Sequence, residues 1–425
     1  MNIFLDTIGC RLNQSEIEKM ASQFRAAGHT IVSKAKDADW VVINTCAVTT
    51  AAASDSRQAI RQAAKAGAGK IISTGCWATL DTVLALKLPG VVKVVPNLEK
   101  DNLVSSLLDL DVKRLQPVER CAIPGDRSRT RGFIKVQDGC NNACTFCITR
   151  IARGRSRSRT LEEILQDIDL ALAGGVNEIV LTGVHLGAWG KDFSSSQPLS
   201  YLIESILQKT SVPRLRLSSL EPWDIEDHLF SLWTDRRLCP HFHLPLQSGS
   251  TKILRRMARK TTLHGFMALV DKIINRIPQA AISTDIIVGF PGETDEEFLK
   301  SLSFIRQVPF SAGHVFHFSP RPGTPAYDYP DRLPKETLKE RSRICRQLFA
   351  EKGKTFNLRH IGDEADVLWE SARQNPDGSW TLEGWTPHYI RVRAQATERL
   401  WNHESHVRLL APYENGLLGD ILTKA

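Results

Sequence analysis

The chain has 425 residues, 42% of them hydrophobic and 24% charged, and 55 Lys and Arg against 47 Asp and Glu give a formal net charge of +8. Such a composition belongs to a globular protein of two to three domains, and the charge favours a polyanionic partner. No apolar run approaches the ~20 residues of a membrane helix, and the chain enters the strand-like Ile3-Phe4-Leu5 with no signal-like core before it. The expectation is a cytoplasmic protein without a membrane partner, in which clustered cysteines bind metal rather than pair as disulfides.

Residues 1–120 alternate strand and helix patterns. Ile3–Leu5, Val41–Ile43 and Lys70–Ser73 are short apolar runs of the kind buried in parallel sheets. Helical periodicity covers Ser15–Ala27 and Ala51–Lys65, with Gly28 and Gly67 as stops. The pattern predicts an open parallel α/β domain. Each strand runs into a loop with one cysteine, namely Cys10, Cys46 and Cys76. Loops at the carboxyl ends of parallel strands converge on one crevice, so three distant thiols are expected at one edge. The competing reading is three small buried core residues.

A linker is expected over residues 121–130, followed by a second α/β region over 125–358. Its strand patterns are Phe133–Val136, Glu178–Leu181, Leu215–Leu217, His241–Leu244, Ile282–Val288 and Gly313–Phe318. Intervening helical patterns at Leu161–Leu172, Leu199–Leu207, Leu263–Ile274 and Asp295–Ile305 make this a partial, open (β/α)6 barrel. The loop leaving its first strand reads Cys140-Asn-Asn-Ala-Cys144-Thr-Phe-Cys147. Three thiolates can hold three irons of a [4Fe–4S] cube and leave the fourth open. A structural zinc site would need a fourth ligand in a paired Cys pattern, and none lies nearby; three unrelated buried thiols are the other alternative. Arg150, Arg153, Arg155, Arg157 and Arg159 follow within ten residues containing no acid. They read as a phosphate-binding stretch or as a solvated face.

A basic helix over about Pro334–Leu358 leads into residues 359–425, where alternating runs such as Asp366–Glu370, Ser379–Glu383 and His388–Arg393 are separated by turns. A small antiparallel β-barrel is expected. Trp385, Tyr389, Arg391 and Arg393 offer a stacking and phosphate surface for nucleic acid, unless the aromatics are core.

The Cys-x₃-Cys-x₂-Cys loop, with Phe146 before its third thiol, resembles that of radical S-adenosylmethionine enzymes. Thr7-Ile-Gly-Cys-Arg-Leu-Asn-Gln14, Ile43-Asn-Thr-Cys-Ala-Val-Thr49, Thr74-Gly-Cys76, Arg153-Gly-Arg-Ser-Arg-Ser-Arg159, His243-Leu-Pro-Leu-Gln-Ser-Gly249 and Asp285-Ile-Ile-Val-Gly-Phe-Pro-Gly-Glu293 extend the likeness over nearly the whole chain, to the methylthiotransferases of that superfamily. The resemblance implies two [4Fe–4S] clusters, one on Cys140, Cys144 and Cys147 and one on Cys10, Cys46 and Cys76. It also implies S-adenosylmethionine held near Phe146, Thr182, Gly183, Ser218 and Glu221, and an RNA-binding TRAM domain at the C-terminus. The first cluster would cleave the cofactor to a radical that removes an unactivated hydrogen; the second would present sulfur that has been methylated.

Of the family's substrates, Cys10-Arg-Leu-Asn-Gln-Ser-Glu16, Val48-Thr49-Thr50 and Gly384-Trp-Thr-Pro-His-Tyr-Ile-Arg-Val392 resemble the branch acting on threonylcarbamoyladenosine of tRNA. That branch commonly has Tyr where this chain has Ser15. The resemblance thus implies tRNA contacts by Arg153, Arg155, Arg157, Arg159, Trp385, Tyr389 and Arg391, with an electron donor and a sulfur source as further partners. Alternatives are methylthiolation of isopentenyladenosine or, in a different class, a non-catalytic iron–sulfur RNA-binding sensor.

Overall fold

Two periodicities shape the first hundred residues of the computed structural model, which describes all residues but 122, 124–129 and 425. Strands β1 (Asn2–Thr7), β2 (Thr30–Ile31), β3 (Trp40–Thr45), β4 (Lys70–Thr74) and β5 (Val91–Val95) form a parallel sheet in the order β2-β1-β3-β4-β5. Because successive side chains alternate faces, Val41, Ile43 and Ile71 pack on one side against Ile60 and Trp77. Val42 and Ile72 pack on the other against Ile17 and Phe24. Helix α1 (Arg11–Ala26) covers the second face and α2 (Thr50–Lys65) the first; the Thr49 side chain accepts the Ala52 N–H and caps α2. Helix α3 (Gly75–Leu80) follows β4 at once, and β5, the apolar run Val91-Val-Lys-Val-Val95, closes the edge.

The chain divides into two compact units, Met1–Asn142 with Phe146–Gln197 and Ser319–Tyr327, and Ala143–Thr145 with Pro198–Phe318 and Asp328–Ala425. Most of the expected linker at 121–130 lies outside the described residues. In the first unit β6 (Arg131–Asp138) pairs in parallel with β8 (Glu178–Gly183) and antiparallel with the short β7 (Arg157–Ser158). The helix Leu161–Ala173 between β7 and β8 starts with a capping box of Thr160 and Glu163.

In the second unit β9 (Arg214–Leu217) precedes β10 (His241–His243), β11 (Ala281–Val288) and β12 (Ala312–His317), and the last three form a parallel sheet in that order. These are the parallel strands and crossover helices expected of the partial barrel. Among the described residues no helix is long and apolar enough to cross a membrane.

The C-terminal barrel is closed, in the order β13 (Glu364–Gln374), β14 (Trp380–Trp385), β15 (Arg391–Ala396), β17 (Gly416–Lys424), β16 (Glu404–Tyr413). Inward-facing Val367, Trp369, Leu382, Val392, Val407 and Leu417 fill it. It departs from the all-antiparallel expectation at β15–β17, which is parallel. The expected strand at His388–Arg393 begins only at Arg391, because Tyr389 takes a left-handed φ of 66° in the preceding turn.

Within that turn, burial and the charges of His360, Arg216 and Arg214 push His388 down to about 4, Asp363 opposing them. The ring is neutral in the folded protein, whereas in the unfolded chain it protonates near the ordinary value. Stability is therefore unaffected above pH ~6.5 and falls as pH drops from there to about 4, by about 3 kcal/mol from this one group. His388→Gln is expected to flatten that part of the stability profile in urea titrations. An unchanged slope between pH 6.5 and 5 would show that the ring is solvated.

Candidate functional site

The carboxyl ends of β1, β3 and β4 deliver Cys10, Cys46 and Cys76 to one region of the first unit, each thiol within electrostatic reach of the others. Cys10 is exposed, Cys46 and Cys76 are buried, and none of the nine cysteines is joined in a disulfide. Polar side chains hold the three loops together. Asn13 Nδ2 donates to Ile8 O (2.8 Å) and Thr45 O (3.1 Å), and Thr45 Oγ1 donates to Thr74 O (2.5 Å). Asn97 Nδ2 lies 3.6 Å from Cys76 Sγ, an N–H donor of the kind that tunes bound sulfur. Burial pushes the Cys46 thiol up to about 11 despite the Val48 backbone N–H.

Gly9 has φ +105°, and a Cβ there would sit 2.6 Å from Cys46 Sγ and 2.7 Å from its Cβ. Only glycine lets the first loop approach Cys46. Gly9→Ala is expected to cost about 1–3 kcal/mol in strain alone and to lower the iron bound by this triad. A variant retaining full iron content would show that the loop relaxes freely.

Beneath the triad lies a buried charge network. Arg153 reaches Glu16 Oε1 (2.9 Å), Asp138 Oδ1 (3.0 Å) and Asn13 Oδ1 (2.7 Å). Glu16 is also reached by Lys100 Nζ at 2.8 Å and by Lys135 Nζ at 3.4 Å. Burial alone would raise the Glu16 carboxyl, but Arg153, Lys100 and Lys135 hold it well below the usual range. Arg153 is thereby corrected from its expected role. Its side chain is 1% exposed and its guanidinium is committed to Glu16 and Asp138, so it offers nothing to a phosphate.

The Cys140–Cys147 loop passes from the first unit into the second and back. In the first unit the Asn142 N–H points at Cys140 Sγ (3.4 Å), which lies 3.9 Å from His185 Nδ1. Gln137 ties this loop to the end of β8: its Nε2 donates to Gly139 O (2.7 Å) and its Oε1 accepts the His185 N–H (2.8 Å). Thr182 is buried and Gly183 half-buried beside it, a Cβ on Gly183 falling 3.1 Å from Gln137 Oε1. Phe146 and Cys147 are half-buried.

In the second unit Arg259 Nη1 lies 3.7 Å from Cys144 Sγ, and its guanidinium pairs with both oxygens of Glu221 (2.9 and 2.5 Å) over the Trp223 ring. Ser218 Oγ is buried with no hydrogen-bond partner among the described residues, a polar atom awaiting a ligand. Two sets of three soft thiol donors with N–H groups on their sulfurs, and an orphaned hydroxyl just after β9, fit iron–sulfur clusters and a polar cofactor.

The basic stretch divides. Arg155 and Arg157 are exposed, while Arg159 is half-buried and bonded to Asp167 (2.6 Å). In the barrel Trp385 stacks on Tyr389 (4.7 Å), with its Nε1 donating to Glu370 (2.8 Å). Tyr389 also stacks with His241 (4.9 Å) and carries Arg216 at 4.7 Å, so its ring is packing, and the expected open stacking platform there is corrected. Arg391 is paired with Glu383 and Glu414. Sequence reasoning missed Arg259, Glu16, Asn13 and Lys100. Only Asn44-Thr45, polar residues ending an apolar strand, signalled a buried polar centre.

The model of the radical SAM superfamily matches residues 134–305, and that described as uncharacterized protein family UPF0004 matches residues 2–96. The threonylcarbamoyladenosine tRNA methylthiotransferase MtaB of Thermotoga maritima is 39% identical over 376 residues, spanning 86% of this chain and 86% of that protein. The tRNA-2-methylthio-N(6)-dimethylallyladenosine synthase of Dictyoglomus thermophilum is 35% identical over 416 residues, 93% of each. Among solved structures, the radical S-adenosylmethionine methyltransferase TsrM from Kitasatospora setae has a TM-score of 0.59 at 13% identity, over 77% of this chain and 75% of that one. At that identity the likeness is one of fold.

Proposed function

The chain belongs to the tRNA methylthiotransferases of the radical S-adenosylmethionine superfamily, and we propose that it adds a methylthio group to C2 of N6-threonylcarbamoyladenosine beside the tRNA anticodon. The observation that supports the reaction is the second triad: a radical enzyme needs one open-iron site, and Cys10, Cys46 and Cys76, near enough to influence one another, would supply another. The Cys10-Arg-Leu-Asn-Gln run and the 39% identity to an MtaB support the substrate. The 35% identity to a dimethylallyladenosine synthase keeps that nucleoside as the second reading.

When bound, two [4Fe–4S] clusters and S-adenosylmethionine supply the electron, the methyl group, the sulfur-holding iron and the means to abstract an unreactive C–H hydrogen. Cys140, Cys144 and Cys147 hold the first cluster, and Cys10, Cys46 and Cys76 the second. Arg259 stands beside Cys144 and holds Glu221 in place; Ser218, Phe146, Thr182 and Gly183 position the nucleoside and amino-acid parts of the cofactor. The exposed Arg155 and Arg157, with Arg159, Trp385 and Arg391, orient the RNA. In this reading residues 1–120, 125–358 and 359–425 are the sulfur-presenting, radical-generating and RNA-binding modules. The protein works in the cytoplasm with an electron donor and a sulfur source.

Nucleoside mass spectrometry of tRNA from cells with and without the chain tests the substrate. The threonylcarbamoyladenosine peak is expected to gain one methylthio group only when the chain is present. A shift of the isopentenyl nucleoside instead would establish the second reading.

A further inference from the structure

The central sheet of the second unit has one face turned away from its helices. A Cβ on Gly313 would lie 2.4 Å from the Phe349 ring of the helix Lys335–Leu358, so Ala312, His314 and Phe316, which alternate with Gly313, point to the other side. His314 pairs across the ladder with Asp285, and His243 with Ser283 two residues earlier on the same strand. On this face one ligating atom from each of His243, Asp285 and His314 lies within 4.8 Å of the others. His243 Nε2 is 3.2 Å from Asp285 Oδ2, and the two histidine ring centroids are 5.8 Å apart.

We propose that His243, Asp285 and His314 form a binding site for one divalent first-row metal ion, sharing no ligand with the cysteine sites. Two imidazoles and a carboxylate are a donor set such ions favour, and three protein ligands leave positions open. Ligand atoms around a tetrahedral ion with bonds near 2.0 Å stand about 3.3 Å apart, a spacing the His243–Asp285 pair already has. The supporting contact is also in place: Ser283 Oγ is 3.0 Å from His243 Nδ1. Accepting that N–H fixes the tautomer in which Nε2 carries the lone pair. Ser283 Oγ is also 3.0 Å from His241 Nε2, which can take the hydroxyl proton. Asp285 makes the cluster a poor direct host for an anion and a good one for a cation. His314 and Phe316 on this face are exposed, and the open positions on an ion held here would accept oxygen donors such as a carboxylate.

The test is titration of the reconstituted full-length chain with Mn2+, a hard ion with little preference for thiolates, reading the free ion by electron paramagnetic resonance. One Mn2+ per chain is expected to bind and to be released by one equivalent of Zn2+, in keeping with the order of first-row affinities. His314→Ala and Asp285→Asn should each weaken binding at least tenfold. His314 is exposed, so its variant tests the site without disturbing the core. No saturable Mn2+ binding, or undiminished binding by His314→Ala, overturns the site and leaves a simple His243–Asp285 hydrogen bond. The site does not depend on the methylthiotransferase reading, and neither outcome bears on it.

Discussion

Cys46→Ala is expected to abolish methylthiolation of RNA while leaving cleavage of S-adenosylmethionine near its normal rate. Cys46 is buried at the end of β3 and belongs to the set with Cys10 and Cys76. Removing it leaves that set two thiols, too few for a site that already lacks a fourth protein ligand. The Cys140, Cys144 and Cys147 loop is untouched, so the radical-generating half of the reaction persists. The two readouts are 5′-deoxyadenosine by chromatography and the methylthiolated nucleoside by mass spectrometry. The first should survive and the second vanish, whereas Cys140→Ala should eliminate both. Methylthiolation by Cys46→Ala at even a tenth of the normal rate would remove the second cluster from the account.

The other large effect is expected at Glu16, which touches no substrate. Glu16→Gln keeps the volume but removes the anion that Arg153, Lys100 and Lys135 share in a region closed to water. Stripping one partner from a buried ion network leaves uncompensated charge and typically costs about 3–5 kcal/mol. The carboxyl is held well below the usual 4.5, so its contribution is complete above the unfolded value and lost only as pH falls through the folded one. At neutral pH the variant therefore shows the full loss. Urea denaturation should reveal it, together with reduced iron at Cys10, Cys46 and Cys76, because Arg153 also fixes Asn13, which holds two of the cysteine loops. Adding Lys100→Met should recover part of the stability. A loss below about 1 kcal/mol would mean that water already solvates the network.

Much of this was legible locally. The continuous apolar run Val41–Ile43 and the 3.6-residue period of α1 and α2 are properties of neighbouring residues, and they place the strands that carry the N-terminal cysteines. The Cys140 loop needed only its own eight residues. Arg153 could not be read that way. Within its stretch it resembles Arg155 and Arg157, and what buries it is Glu16, far away in sequence and brought near by the sheet. Arg259 beside Cys144 and Tyr389 beneath Arg216 follow the same rule: pairing partners are set by topology, whereas periodicity reports only which face a residue occupies. The barrel's parallel β15–β17 pair was hidden for a related reason, since alternation does not encode strand direction.

The central claim is that six cysteines form two separate cluster sites, and iron and acid-labile sulfide counted per chain after anaerobic reconstitution test it most directly. The account predicts about eight of each in the native chain and about four after joint replacement of Cys10, Cys46 and Cys76 by alanine. About four in the native chain, unchanged by that replacement, would contradict it.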